Sequence, residues 1–222
     1  MKNTLLTLFA AIALFGCAEK KSPSAAPSAE VPVAEAASTY SLDPAVTLLS
    51  WKAAKVTGEH MGNVPVSSGK LGVNGADIVS GSFEIDLGQI TVTDVADPGI
   101  NAKLVGHLKS EDFFASEIYP KGSFVVTKVA PLKGDSAHSH TITGNLTLKN
   151  ISREITFPAK ISLSPSQIIA EADRIVLDRT WWDIRYRSGK FFPNLGDKLI
   201  KDEFTLSLYL VANLESAVAL GE

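Results

Sequence analysis

Four histidines, one cysteine, one Ser-x-x-Lys match and one cluster of arginines with tryptophans are the residues of this chain whose types and spacing could do chemistry. His138-Ser139-His140 has the i, i+2 spacing that sets two imidazoles on one side of a strand, as a metal pair requires. It follows the polar run Gly134-Asp135-Ser136-Ala137, which reads as a loop tip, and no metal site is expected there. His60 falls between strand-like runs and His107 on the one helical stretch. Neither makes a catalytic constellation; a structural hydrogen bond is the first reading for each, and contact with a ligand's polar head group is the second. Ser67-Ser68-Gly69-Lys70 matches an acylating motif that needs its serine at a helix start, whereas here the match precedes a strand and a turn. Gly-x-Ser-x-Gly, His-Glu-x-x-His, Gly-x-Gly-x-x-Gly and the P-loop are all missing from the sequence. An enzyme, acting on a lipid, is therefore only the runner-up.

The arginine and tryptophan cluster is Asp178-Arg179-Thr180-Trp181-Trp182-Asp183-Ile184-Arg185-Tyr186-Arg187. Stacking on nucleic acid is the first chemistry it suggests, but its aspartates and the chain's formal charge of −3 exclude that class. Two readings stay open. Ion pairs and cation–π contacts could fasten a long loop over one end of the fold. Alternatively, charged residues such as Arg179 could meet a ligand's head group while Trp181 borders an apolar interior.

The cysteine has a different context. With one thiol, an intramolecular disulfide and zinc sites of four cysteines or two cysteines with two histidines are ruled out. Lys2 precedes the apolar run Leu5–Leu14, which is too short for a permanent span and reads as a secretory signal over residues 1–16. Leu14-Phe15-Gly16-Cys17 resembles the bacterial lipobox, so Cys17 is expected to carry the lipid anchor, with Phe15 departing from the usual small or β-branched residue. Two or three acyl chains at about 0.8 kcal/mol per buried methylene hold a protein on a membrane. Ala18 stands where the inner-membrane retention aspartate would be, so in a Gram-negative cell the outer membrane, facing the periplasm, is expected. Residues 17–39 comprise the lipidated cysteine and a tether of mostly Ala, Ser, Pro, Glu and Val, reaching about 25 Å. The folded unit is expected over 40–213, with 214–222 a C-terminal tail.

Within that unit, apolar residues alternate with polar ones in short runs. Ser82–Leu87, Ile142–Leu148, Ile155–Ile161 and Glu203–Leu210 each have period two, and Leu49–Ala53 and Phe124–Val126 add two more. Turn signals, Asn74-Gly75 and Gly134-Asp135 among them, fall between the runs as in an antiparallel meander. One stretch has helical period: Asp97-Pro98 is a cap followed by proline at the first helical position, and Ile100, Leu104 and Leu108 recur at i, i+4, i+8. Ser110-Glu111-Asp112 predicts a second helix through Phe113-Phe114 to about Pro120. An all-β fold of about eight antiparallel strands with a helical insertion follows, a closed barrel or a sandwich.

Several segments, in order, resemble the YceI-like family of bacterial lipid-binding proteins. They are Tyr40-Ser41-Leu42-Asp43, Trp51-Lys52 with Lys55–His60, Lys103–Ser110 running into Asp112-Phe113-Phe114 and Tyr119-Pro120, Gly144–Lys149, Asp178–Trp181 with Asp183–Tyr186, and Asn194–Asp197. The resemblance implies a lipocalin-like antiparallel barrel holding an isoprenoid chain, as of a polyisoprenoid or a quinone tail, and places the chain in the lipoprotein subgroup. The alternating faces agree. Trp51, Ala53, Phe83, Ile85, Phe124, Leu146, Phe157, Phe204, Leu206 and Leu208, pooled inside a barrel and joined by Phe113, Phe114 and Trp181, would line a lumen without charge. Each isoprene unit buried there contributes about 2–4 kcal/mol before the cost of ordering. The expected role is carrier, store or sequestering protein, with no cofactor beyond the bound lipid and no catalysis. If the same side chains instead fill a solid core, the protein is a non-lumenal interaction module of the envelope.

Overall fold

The computed structural model describes residues 36–215. Among them, ten strands run in chain order: β1 Ser38–Leu42, β2 Leu48–Lys55, β3 Gly58–Asn63, β4 Val66–Asn74, β5 Asp77–Asp86, β6 Lys121–Pro131, β7 His140–Leu148, β8 Ile151–Leu163, β9 Gln167–Asp178 and β10 Ile200–Leu214. Eight of them, β1 and β4 to β10, close into an antiparallel barrel in the order β1-β4-β5-β6-β7-β8-β9-β10, and β10 returns to pair with β1. The fifteen residues of β10 pair with β9 on one side and are shared between two strands on the other. Residues 200–209 pair with β2, while Ala212–Leu214 pair with β1 across the closure. The β2–β3 hairpin thus extends the wall at one end, where Thr91 and Thr93 continue the pairing onto Asn63 and Met61. Closure leaves few free edges, which is how an antiparallel sheet avoids pairing with other chains.

The period-two runs lie where expected, and one face of each is buried. Registers Leu49↔Leu208, Trp51↔Leu206 and Ala53↔Phe204 stack an inward layer across β2 and β10. Phe83, Phe124 and Leu146 do the same across β5, β6 and β7. Gly144 is glycine because the Phe124 ring lies flat on its Cα: a Cβ there would sit 2.5 Å from Phe124 Cζ and 2.6 Å from the Val125 carbonyl oxygen.

Helix α1, Pro98–Lys109, begins where the cap predicts, with the Asp97 carboxylate accepting from the Ile100 N–H at 2.8 Å. Its docking face differs from the predicted stripe. Leu108 is buried and Leu104 and Val105 pack on the core, but Ile100 is exposed. Asn101 anchors that first turn instead, donating to the carbonyls of Val92 and Val95. The second predicted helix does not form. Ser110 caps α1 by donating to the His107 carbonyl, and two successive turns follow, in which Phe113 and Ala115 both donate to Ser110. Ala115 is buried with φ at +46°, a left-handed conformation that no helix can continue through.

Candidate functional site

The lumen is built from the buried faces of these strands and has two adjoining halves. One is lined by Phe83, Phe124, Phe157, Ile175 and Leu208 among others, with a cavity volume of about 90 Å³. The other is lined by Trp51, Ala53, Phe113, Phe114 and Phe204 among others, also with about 90 Å³. Leu49, Ile85, Leu146 and Leu206 line both, so the two halves adjoin at these four side chains. Every lining residue is apolar apart from Arg179. Twelve of the side chains that sequence pattern and resemblance assign to the lumen are therefore among those lining it.

Trp181 is the exception and needs correcting. Arg179–Trp182 is a 3-10 turn, capped by Asp178, whose carboxylate accepts from the Thr180 N–H at 2.8 Å. Three residues per turn bring Arg179 and Trp182 to the same inner side and leave Trp181 outside, 45% exposed. Trp182 has no exposed surface; its indole N–H donates to the Leu146 carbonyl at 3.1 Å, and its ring meets Phe204 edge-on. Asp183, with φ at +58°, ends the turn. A tryptophan pair read with strand or helix period does not reveal which ring is inside; the 3-10 period does.

Arg179 borders the lumen, yet its guanidinium faces away from any ligand. It donates to the carbonyls of Ile184, Ile200 and Lys201 at 2.9–3.1 Å and pairs with Asp202 at 3.3 Å. Burial lowers its pKa, opposed by the charges of Asp202 and Asp178. Burial raises the Asp178 carboxyl, but hydrogen bonds from Lys190 and Thr180 outweigh it and hold the group below the usual range. Arg185 lies over Phe191 at 4.7 Å and Arg187 over Tyr186 at 5.0 Å. These contacts make the cluster a fastening of segment 179–201 across one end of the barrel.

The histidines make structural bonds. His60 is paired in register with Ala53, but its Nδ1 lies 2.8 Å from Asp94 and it does not line the lumen. His107 Nε2 is 2.9 Å from Asp112, and its ring packs edge-on against Phe113 and Tyr186, joining α1 to the fastened segment. His138 bridges Asp135 and Asp173, which raise its pKa. Ser67 Oγ bonds the Glu84 carboxylate and Lys70 pairs with Glu215, so the Ser-x-x-Lys match holds two separate surface contacts. Among the described residues no three of His, Cys, Asp and Glu gather as metal ligands, and no helix is long and apolar enough to cross a membrane. Cys17 lies outside the described residues.

Sequence pattern missed the β9 and β4 contributions to the lining. Ala170 and Ile175 face inward from β9 on opposite parities because a bulge separates them, with Arg174 at φ +58°. Leu71 of β4 is likewise displaced from Val66 by a register shift at Ser68.

The site is thus a closed antiparallel barrel around adjoining apolar cavities, with Arg179 and the neighbouring polar groups tied into caps and clamps. The YceI-like domain model matches residues 40–212, and the chain belongs to that family. The fold is similar to that of Burkholderia cenocepacia BcnA, at 19% identity over 77% of this chain and 98% of that one, with a TM-score of 0.59. It is also similar to a polyisoprenoid binding domain from Saccharophagus degradans implicated in plant cell wall breakdown, at 14% identity over 79% and 98%, TM-score 0.56. A mutant of the YceI protein from Campylobacter jejuni matches at 16% identity over 68% and 84%, TM-score 0.51. No curated protein matches the sequence.

Proposed function

We propose that the protein binds one isoprenoid-type chain, a polyisoprenoid or a quinone tail, along the lumen, and acts as carrier, store or sequestering protein rather than as a catalyst. The observation that carries this is the lumen itself: two adjoining apolar halves, with the single bordering charge satisfied by protein carbonyls. Such a wall selects on shape and apolarity and offers no group to a reaction. That the similarly folded Saccharophagus degradans domain is a polyisoprenoid binding domain supports the same reading. The polar head of a ligand would stay outside, because Arg179, His60 and His107 already have partners.

In the same proposal the chain is an exported lipoprotein of the cell envelope, anchored through Cys17. Mass spectrometry of organic extracts from gently purified protein tests the ligand. A stoichiometric prenyl lipid is the expected result, whereas protein without lipid that also fails to take up geranylgeraniol turns the reading toward a non-lumenal interaction module. Cys17→Ser tests the anchor: it should move the protein from the membrane to the soluble exported fraction, and unchanged membrane association without fatty acid in the parent overturns it.

A further inference from the structure

Along the seam between β8 and β9 most of the barrel wall lacks a backbone ladder. β8 pairs with β7 from Ile151 to Ala159, and β9 pairs with β10 from Gln167 to Asp178. Between β8 and β9 the ladder covers only Lys160–Leu163 against Ile168–Glu171. Among the described residues no backbone hydrogen bond joins Ile151–Ala159 to Ala172–Asp178. The open stretch is about 20 Å long, at about 3.3 Å per residue. Both strands carry a ladder breaker where they part. Pro158 has no N–H to donate, and the bulge with Arg174 in the left-handed region turns β9 aside.

The inner surface of this seam is apolar, while its outer surface carries Glu154, Thr156, Asp173 and Arg174 beside Val176. Ile155, Phe157 and Ile175 face inward and line the lumen directly behind it. Val176 and Trp181 sit outside, 48% and 45% exposed. Side chains, in place of a ladder, hold its lower half: Trp182 plugs it from within, and Arg153 of β8 donates to the Trp181 carbonyl at 3.0 Å. The two ends of the barrel are tied more firmly. Arg179 clamps the segment across one end, and at the other Tyr40 donates to the carbonyls of Ser164 and Pro165 beside the fully buried Ile168.

We propose that the β8–β9 seam is the lateral portal through which an apolar chain enters and leaves the lumen, resting on the lumen-binding reading above. Parting it breaks no backbone ladder, only apolar packing and a few side-chain bonds, so a chain can pass sideways while the rest of the barrel stays closed. The head group then follows along the outside and never crosses the apolar interior.

Cross-linking tests this. Thr156 of β8 and Val176 of β9 are both exposed and lie on the facing strands of the unladdered stretch. In the full chain carrying Cys17→Ser, Thr156→Cys with Val176→Cys would be bridged by a short bismaleimide, and Ser82→Cys with Val125→Cys, outward on the paired β5–β6 ladder, would serve as control. Release of tritiated geranylgeraniol should slow by at least about tenfold in the bridged seam and stay unchanged in the control. Unchanged release in both, or equal slowing in both, overturns the portal while leaving lumen binding intact. Failure of the unbridged protein to take up geranylgeraniol overturns both. Hydrogen exchange on the unmodified protein gives a second measurement independent of folding variants: residues 151–159 and 172–178 should exchange faster than 121–126, and equal protection counts against the portal.

Discussion

Arg179 separates a clamp from a head-group contact, and the structure fixes how large the difference should be. In Arg179→Met the stem is kept and the guanidinium removed. The carbonyls of Ile184, Ile200 and Lys201 then lose their donor, and Asp202 keeps only Lys190 at 3.9 Å. Breaking one side of a buried, hydrogen-bonded pair costs about 3–5 kcal/mol. In a domain of this size about 1 kcal/mol moves the melting temperature by about 2–4 °C, so the loss should be on the order of 10 °C. Arg179→Lys should recover only part of it, because an ammonium cannot fork to carbonyls on three residues. Urea unfolding, with midpoint and slope fitted together, measures the free energy, and geranylgeraniol titration below the transition measures binding. The clamp requires a large stability loss with affinity nearly unchanged while the domain stays folded. A variant within about 1 kcal/mol of the parent that no longer binds would refute it and return Arg179 to the ligand.

Ala53→Trp adds a ring to the lumen wall opposite Phe204. If the channel is open, melting temperature should hold or rise and co-purifying lipid should vanish; a solid core would instead lose about 1–3 kcal/mol through overpacking. Gly144→Val places a side chain against the Phe124 ring and the Val125 carbonyl, which the backbone cannot relieve. It should cost at least about 1–3 kcal/mol by thermal unfolding, and a neutral result would mean that Phe124 does not lie on Gly144. His138 gives a pH dependence of known sign. Asp135, then Asp173, raise its folded pKa above the ordinary 6.5, so its contribution is fully present below that value and fades as pH rises through the raised one. Urea midpoints from about pH 5 to about pH 8 should show this slope in the parent and lack it in His138→Gln; identical profiles would mean that the bridge is not formed in solution.

How much of this arrangement the sequence reveals depends on where its period is kept. β2, β5, β7, β8 and β10 read directly because Trp51, Ile85, Leu146, Phe157 and Leu206 alternate without interruption on their inward faces. β9 does not: Ala170 and Ala172 are inward on even positions, Ile175 and Leu177 on odd ones, and the bulge between them erases the alternation. The same reason hides β4, while β3, Gly58–Asn63, has almost no apolar residue to alternate. Asp97-Pro98 announces α1 because a cap is local chemistry. The failed helix after Ser110 is lost to a tertiary choice, the burial of Ala115, which no local pattern contains. The lumen residues were legible as faces, but which faces meet was not, since β1 lies between β4 and β10, far from its neighbours in the chain.

A lumen that takes up an apolar chain changes where stability must come from. A barrel of this size filled by side chains draws on its core, whereas one that leaves space for a chain gives up those contacts and depends on ladders and caps. The molecule's polar investment follows that logic. Arg179 spends its donors on three carbonyls at one end, Tyr40 bonds two carbonyls at the other, and β10 pairs along nearly its whole length with three strands. Against that background the unladdered β8–β9 line stands out as a stretch of wall held by packing around Trp182 and by the side-chain bonds of Trp182 and Arg153. Trp182→Phe keeps the packing and removes the bond to Leu146, a loss of about 1–3 kcal/mol where the carbonyl stays unpaired. If the seam gates the lumen, that variant should release geranylgeraniol faster by more than its loss of global stability predicts, because the bond lost lies across the line that opens. A release rate that tracks global stability alone would place the exit in whole-barrel unfolding instead.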